Sequence, residues 1–396
     1  MRTGDAFFNS GTSPMIYFDH NATAPMLPEA RQAWLDAAEQ YIGNPSSPHR
    51  IGSRADAALT GARESLAAIL GCDALDIVWT ASATESNNMV LHHCAEALAT
   101  KAEVWVSAIE HPCVLEATRH YFPKRHRLIP VTHAGVVDLN WLRAELLRKR
   151  PGLVAVMAAN NETGVLQPWQ EALALCRERG IPFFCDAVQW LGKLPARGLG
   201  ACDFVSGCAH KFGGPKGVGF LKCPAKGRVE PLLYGGRQEE GRRAGTENVA
   251  AVLSMMAALE IRERALARGA HEERAAWRDA FERQMLAALP GAEIVGTGQP
   301  RLWNTVSALM PEADCQQRWV VKLDKIGFAV STGSACASGR EEPSHVLAAM
   351  GYRAAETGRV LRFSSGWESR ETDWPALIGA LAKVHGGMEL KNTARQ

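Results

Sequence analysis

A few residues in this 396-residue chain could share one piece of chemistry. Lys211 stands in "CAHKFGGPKG", on a glycine-flanked turn just past the apolar run "DFVS". Asp186 follows "PFFC", an awkward place for a carboxylate unless something cationic meets it. His111 follows "EVWVSAIE", and the Ser-Ala-Thr stretch at 82–84 follows "DIVWT" and opens a helical pattern. Exposed N–H groups and a hydroxyl at a helix N-terminus suit a phosphate, although Ser and Thr are also ordinary N-caps. Each residue alone has a bland reading, as a surface lysine, a turn aspartate or a structural histidine. The glycines do not form a nucleotide loop, which needs its Lys-Ser/Thr after the last glycine and at a helix start. Here Lys211 precedes the glycines and "VGF" follows as a strand.

Taken together, the parts describe pyridoxal phosphate (PLP): a lysine that condenses with an aldehyde, an acid for a pyridinium nitrogen, and a phosphate cup. The lysine would hold the cofactor as a Schiff base and then shuttle protons. One further residue asks for a role. Cys336 lies in "STGSACASG", a run of small side chains that packs poorly and is costly to order.

The elements that must position these residues follow from the pattern. From about residue 60 to 250, short apolar runs ending in polar or glycine-rich turns alternate with helical stretches, as in a mostly parallel sheet covered by helices. Ligands of such sheets bind at the carboxyl ends of the strands, where Lys211, Asp186, His111 and residues 82–84 fall. Beyond residue 250 the chain turns to long Ala-, Glu- and Arg-rich helices. Short runs ("NTVSALM", "FAV", "VLRFSSG") and a closing helix, "DWPALIGALAKVH", follow. This predicts a smaller C-terminal α/β domain, with a bridging helix near 247–265. A net charge of +2 argues against a nucleic-acid or polybasic membrane surface. The absence of an apolar stretch of membrane-spanning length or of a signal-peptide core predicts a cytoplasmic protein. The ten cysteines fit no zinc spacing and no disulfide framework, and most are expected as small buried hydrophobes.

The ordered motifs "YFDHNATAP", "TASATESNN", "EHPCVLE", "NNETGVLQP", "DAVQWLGKLP", "AHKFGGPKGVGFL", "GGRQEEGRRAGTENVA", "STGSACASGREEPSHVL" and "VLRFSSG" span nearly the whole chain. In them the sequence resembles the cysteine desulfurases, fold-type I PLP enzymes that supply sulfur for iron–sulfur clusters. The resemblance implies a large domain, 15–258, with a mostly parallel seven-stranded sheet. Residues 1–14 and 259–396 would form the small domain, carrying a mobile loop at 331–345. It implies that Lys211 bears the cofactor, Asp186 pairs with the ring nitrogen, Gln189 bonds the phenolic oxygen and His111 stacks on the ring. Ala83, Thr84, Cys208 and His210 would face the phosphate, with Thr246 reaching in from the second subunit of a homodimer. Asn161 would lie beside cofactor and substrate, and Arg362 would clamp the carboxylate of L-cysteine. Cys336 would take the sulfur as a persulfide and pass it to an acceptor protein, such as an iron–sulfur scaffold or a thiolation enzyme. No metal, nucleic acid or membrane is implied.

Several positions depart from the family pattern. Ser82 stands where glycine is usual, Cys208 where serine commonly donates to the phosphate, Glu240 where arginine is usual, and Arg237 where a third glycine is often found. A thiol is a weaker donor than a hydroxyl. A selenocysteine lyase or an aminotransferase would share the fold, although an aminotransferase has no need of Cys336. A non-catalytic partner-binding scaffold would have no need of Lys211, Asp186 and Arg362 together.

Overall fold

The computed structural model describes residues 15–225, 229–312, 316–333 and 343–393, so Cys336 and Cys315 lie outside the described residues. Its strands are β1 (Ile16–Tyr17), β2 (Ile77–Thr80), β3 (Val104–Ser107), β4 (His126–Ile129), β5 (Leu153–Ala155) and β6 (Phe183–Asp186). Then come β7 (Phe204–Cys208), β8 (Gly219–Lys222), β9 (Glu293–Ile294), β10 (Thr305–Leu309), β11 (Phe328–Ala329) and β12 (Val360–Ser364). The helices that matter below are α1 (Pro28–Gln40), α2 (Arg50–Leu70), α3 (Ala83–Ala97) and α4 (Pro112–Tyr121). The later ones are α5 (Val249–Ala267), α6 (Ala270–Ala288) and α7 (Asp373–Thr393).

The large sheet has seven strands in the order β2-β8-β7-β6-β5-β3-β4. Only β8 runs against the rest, pairing antiparallel with β2 on one side and β7 on the other. Every residue is buried in β2, β3, β6 and β7, which are mostly apolar, as expected of a sheet covered on both faces, whereas the edge strand β4, His-Arg-Leu-Ile, is buried only at Ile129. Successive side chains then go to opposite faces. Phe183, Val205 and Trp105 pack with Leu59 of α2 and Met255 of α5, while Phe184, Phe204 and Val104 pack with Met89 of α3 and Val114 of α4.

A second, antiparallel sheet has the order β12-β10-β9 and is covered by α6 and α7, with Phe281, Val306, Phe363 and Trp374 in its core. The bridging helix expected near 247–265 is α5, which lies against α1 and α2 and turns at Gly269, φ 72°, into α6. Residues 16–18, which fall within the 15–258 grouping, pair with the C-terminal unit. β1 is parallel to β11, and Phe18 is buried in the same core as Phe363. The chain then continues past a bridge between Asp19 and Ser364 to the edge of the large sheet. No helix among the described residues is long and apolar enough to cross a membrane.

Candidate active site

The carboxyl ends of five strands meet at one place. β2 delivers Ser82, Ala83 and Thr84; β3 delivers His111; β5 leads to Asn161; β6 ends in Asp186 and leads to Gln189; β7 ends in Cys208 and leads to His210 and Lys211. Together with Asn21, Ala22 and Arg362 they line a cavity of about 360 Å³, large enough for a small cofactor. Eleven of the twelve residues singled out from sequence and described in the structure therefore line one site; Thr246 does not.

Each side chain is held. Lys211 Nζ donates to the carbonyls of Asn21 (2.7 Å) and Ala22 (2.8 Å). The Asp186 carboxylate accepts from Val188 N (3.0 Å) and Asn87 Nδ2 (2.8 Å). His111 Nδ1 accepts from the backbone N–H of Cys113 at 3.2 Å, and Cys113 Sγ lies 2.9 Å from the same nitrogen. Because a backbone N–H can only donate, this contact puts the imidazole hydrogen on Nε2. Burial lowers the His111 pKa; Asp186 opposes that and Lys211 adds to it. Burial and Lys211 both disfavour the charged imidazolium.

At the other end of the cavity α3 begins. Ser82 is its N-cap, with Oγ accepting from Glu85 N at 3.1 Å, and its φ of −170° is extended backbone open to any residue. Serine therefore replaces the usual glycine without strain and adds a cap. Burial and the nearby cations Lys211 and Lys216 hold His210 down at about 4. Arg362 is 1% exposed and donates to the carbonyls of Asn161 (2.8 Å) and Gly333 (3.1 Å) and to Asp19 Oδ1 (2.7 Å). Its buried Nε has no partner among the described residues, so this donor is unspent on a side chain that lines the cavity. Helix N-terminus, lysine, cavity-lining carboxylate and cavity volume fit PLP, and the unspent arginine donor fits a substrate carboxylate.

Residues 16–375 match the aminotransferase class-V family. A cysteine desulfurase of Klebsiella pneumoniae is 38% identical over 93% of this chain and 92% of its own. The chain belongs to the cysteine desulfurases. Among solved structures, a NifS-like protein superposes with a TM-score of 0.86 at 30% identity, covering 93% of this chain and 99% of that one. SspA, solved in complex with cysteine, gives 0.76 at 28% identity over 88% of this chain and 98% of its own. The desulfurases of this class are PLP-dependent, in agreement with the donor set at the cavity.

The structure of this desulfurase also brings in residues that sequence reasoning left aside. Asn87, fully buried on the inner face of α3, ties Asp186 to Cys113 Sγ (3.1 Å). Its signal was a pair of asparagines four residues into a helix that faces the sheet. Asn21 supplies the carbonyl that receives Lys211, and nothing in "FDHNATAP" marks a backbone atom as functional. A thiol not singled out from sequence, Cys113, lines the cavity beside the expected Cys208, and burial pushes both up to about 12. Cys94, Cys176, Cys185, Cys202 and Cys223 are buried free thiols, as expected of small hydrophobes.

Thr246 lines a separate pocket of about 190 Å³ with Trp79, Arg243 and Asn248. The approach to it is pinned by Glu239. That residue sits at φ 50°, accepts from Arg63 at 2.8 and 3.0 Å and from Trp79 N at 3.0 Å, and is buried. Glu240 follows it at φ 58°. Two successive left-handed residues that are not glycine are costly, and the Arg63–Glu239 pair offsets that cost.

Proposed function

We propose that the desulfurase converts L-cysteine to L-alanine at this cavity, with Lys211, His111 and Cys336 as its catalytic residues. The observation that carries the reading is the convergence of Lys211, Asp186, His111 and the start of α3 on one cavity that Arg362, with its unspent donor, also lines. PLP, when bound, supplies an electrophilic aldehyde and an electron-accepting ring. Lys211 holds it and moves the Cα proton; the Asn21 and Ala22 carbonyls keep the amine in place. Asp186 faces the ring nitrogen and Gln189 the phenolic oxygen. Ala83, Thr84, Cys208 and His210 surround the phosphate, and Thr246 serves the partner subunit of a homodimer. Asn161 and Arg362 orient the substrate, the latter through its carboxylate. The thiolate of Cys336 forms a bond to the substrate sulfur as the Cβ–S bond breaks. Cβ is protonated, and alanine leaves while Cys336 keeps the persulfide.

The sulfur then passes to an acceptor protein in the cytoplasm, an iron–sulfur scaffold or a thiolation enzyme. The test is stoichiometric release of alanine and sulfide from L-cysteine with a reductant. Borohydride reduction and peptide mapping should place the pyridoxyl group on Lys211. A label elsewhere, or alanine release that survives Lys211→Ala, would remove this reading. Selenocysteine assayed beside cysteine decides between the desulfurase and lyase activities.

A further inference from the structure

Behind the cavity wall lies a second lysine, Lys193, 3% exposed. Its Nζ donates to Asn21 Oδ1 at 2.7 Å and to Gln189 Oε1 at 2.5 Å. We infer that Lys193 is a positioning residue that fixes the amide of Gln189 and the backbone of Asn21 against the cofactor lysine. The inference rests on the assignment of Lys211 and Gln189 above.

An amide side chain can sit either way round, and its orientation is set by what its two ends meet. Lys193 brings hydrogens, so the oxygen of Gln189 must face it. The NH2 group is thereby turned toward Asn21 O, at 3.0 Å, and toward the cavity that Gln189 lines. Asn21 is gripped in the same way. Its Oδ1 accepts from Lys193 and from Asn304 Nδ2 (3.1 Å), and its Nδ2 donates to Thr305 Oγ1 (2.9 Å). Its backbone carbonyl, so held, is the one that receives Lys211 Nζ. Removing the amine of Lys193 thus unbinds two acceptors, each one step from the cofactor.

Charge supports the same role. Burial lowers the Lys193 pKa well below its ordinary value, with Lys211 and Arg362 pressing the same way and Cys208 against. Two acceptors, Asn21 Oδ1 and Gln189 Oε1, stand within reach of the amine, so Lys193 orients both amides at once.

The test uses PLP-loaded protein and reads the pH midpoint of the cofactor's visible absorbance band, with thermal melting as the fold control. Lys193→Met keeps the stem and removes the donor. It should displace the midpoint by about one unit, the scale of one altered hydrogen bond. Gln189→Leu should displace it similarly, and the double variant should add little, because both changes act through one contact. Lys193→Gln, which keeps two hydrogens on one nitrogen, should recover at least half of the displacement. Should Lys193→Met not fold, Lys193→Leu, which also lacks the donor, takes its place in the same comparison: a displaced midpoint supports the role and an unchanged one overturns it. An unchanged midpoint in folded Lys193→Met, even with a lower melting temperature, leaves Lys193 a purely structural residue and overturns the inference. The absence of any visible band in the parent protein would instead sink the Lys211 assignment, and this inference with it.

Discussion

Replacing Arg362 separates two jobs that the structure gives to one side chain. The guanidinium is almost wholly buried, satisfies Asp19 and two carbonyls, and keeps Nε unspent. Arg362→Ala removes both jobs. Losing a charge-assisted bond to the substrate carboxylate costs about 1.5–3 kcal/mol, or roughly 13- to 160-fold in affinity. Leaving Asp19 without its cation costs the fold about 3 kcal/mol, toward the lower end for a buried pair because the Asp19 side chain is 23% exposed. Arg362→Lys keeps a cation with three hydrogens that can serve Asp19 and a carbonyl, but it lacks the planar fork. It should therefore melt within a few degrees of the parent and still bind cysteine at least about tenfold more weakly. The assay is a spectral titration with L-cysteine in a Cys336→Ala background, which measures binding without turnover, alongside urea unfolding. Cysteamine, which has no carboxylate, should bind the parent and Arg362→Lys alike. Equal affinity of folded Arg362→Lys and its parent for L-cysteine would refute the carboxylate assignment.

Two further outcomes follow. Cys336→Ala should keep the spectral response to L-cysteine yet release almost no alanine. Cys113→Ala and Cys208→Ala should leave persulfide on Cys336, because thiols held at about 12 are thiolate in roughly one molecule in ten thousand at pH 8; mass spectrometry finding the added sulfur on either would contradict this. His20 gives a pH prediction. Burial lowers it to about 4, so below about 6.5 the unfolded chain takes a proton that the folded one refuses, and stability is lost as pH falls. Between pH 7 and pH 5 this one residue should cost ~2 kcal/mol. His20→Gln should flatten the denaturation midpoint over that interval, and an unaltered slope would assign the acid loss to other groups.

The sequence made the large sheet legible because most of its strands are apolar runs ending in polar residues, as at "PFFC" and Asp186. The strand-end rule then gathers Lys211, Asp186, His111 and residues 82–84 from the sequence alone. Three kinds of information were not legible. Backbone atoms carry no sequence signature, so the Asn21 and Ala22 carbonyls under Lys211 were invisible. Lys193 reads as a surface lysine after "LG", since only the tertiary contacts show it buried between two amides. The pairing of Ile16–Tyr17 with Phe328–Ala329 joins residues with no local pattern in common, and two-residue strands give no period to detect. Ser82 shows the opposite case: a departure from the family's glycine looked like a weakness, and its extended φ and capping hydroxyl make it harmless.

That early strand has a consequence for how the protein is made. Residues 16–22 are made well before the segments they pair with: β1 must wait for β11, and Asp19 must wait for Arg362, 343 positions later. The large sheet can condense on its emerging helices long before then, with Lys211 already synthesised. Its amine, however, rests on carbonyls whose own position is set by segments from the far end of the chain, Asn304, Thr305 and Ser364. The proposed cofactor lysine is therefore seated only after Ser364 has been made. A nascent or C-terminally truncated chain would carry the lysine but not its cradle, which delays cofactor capture until the last strand, β12, is in place.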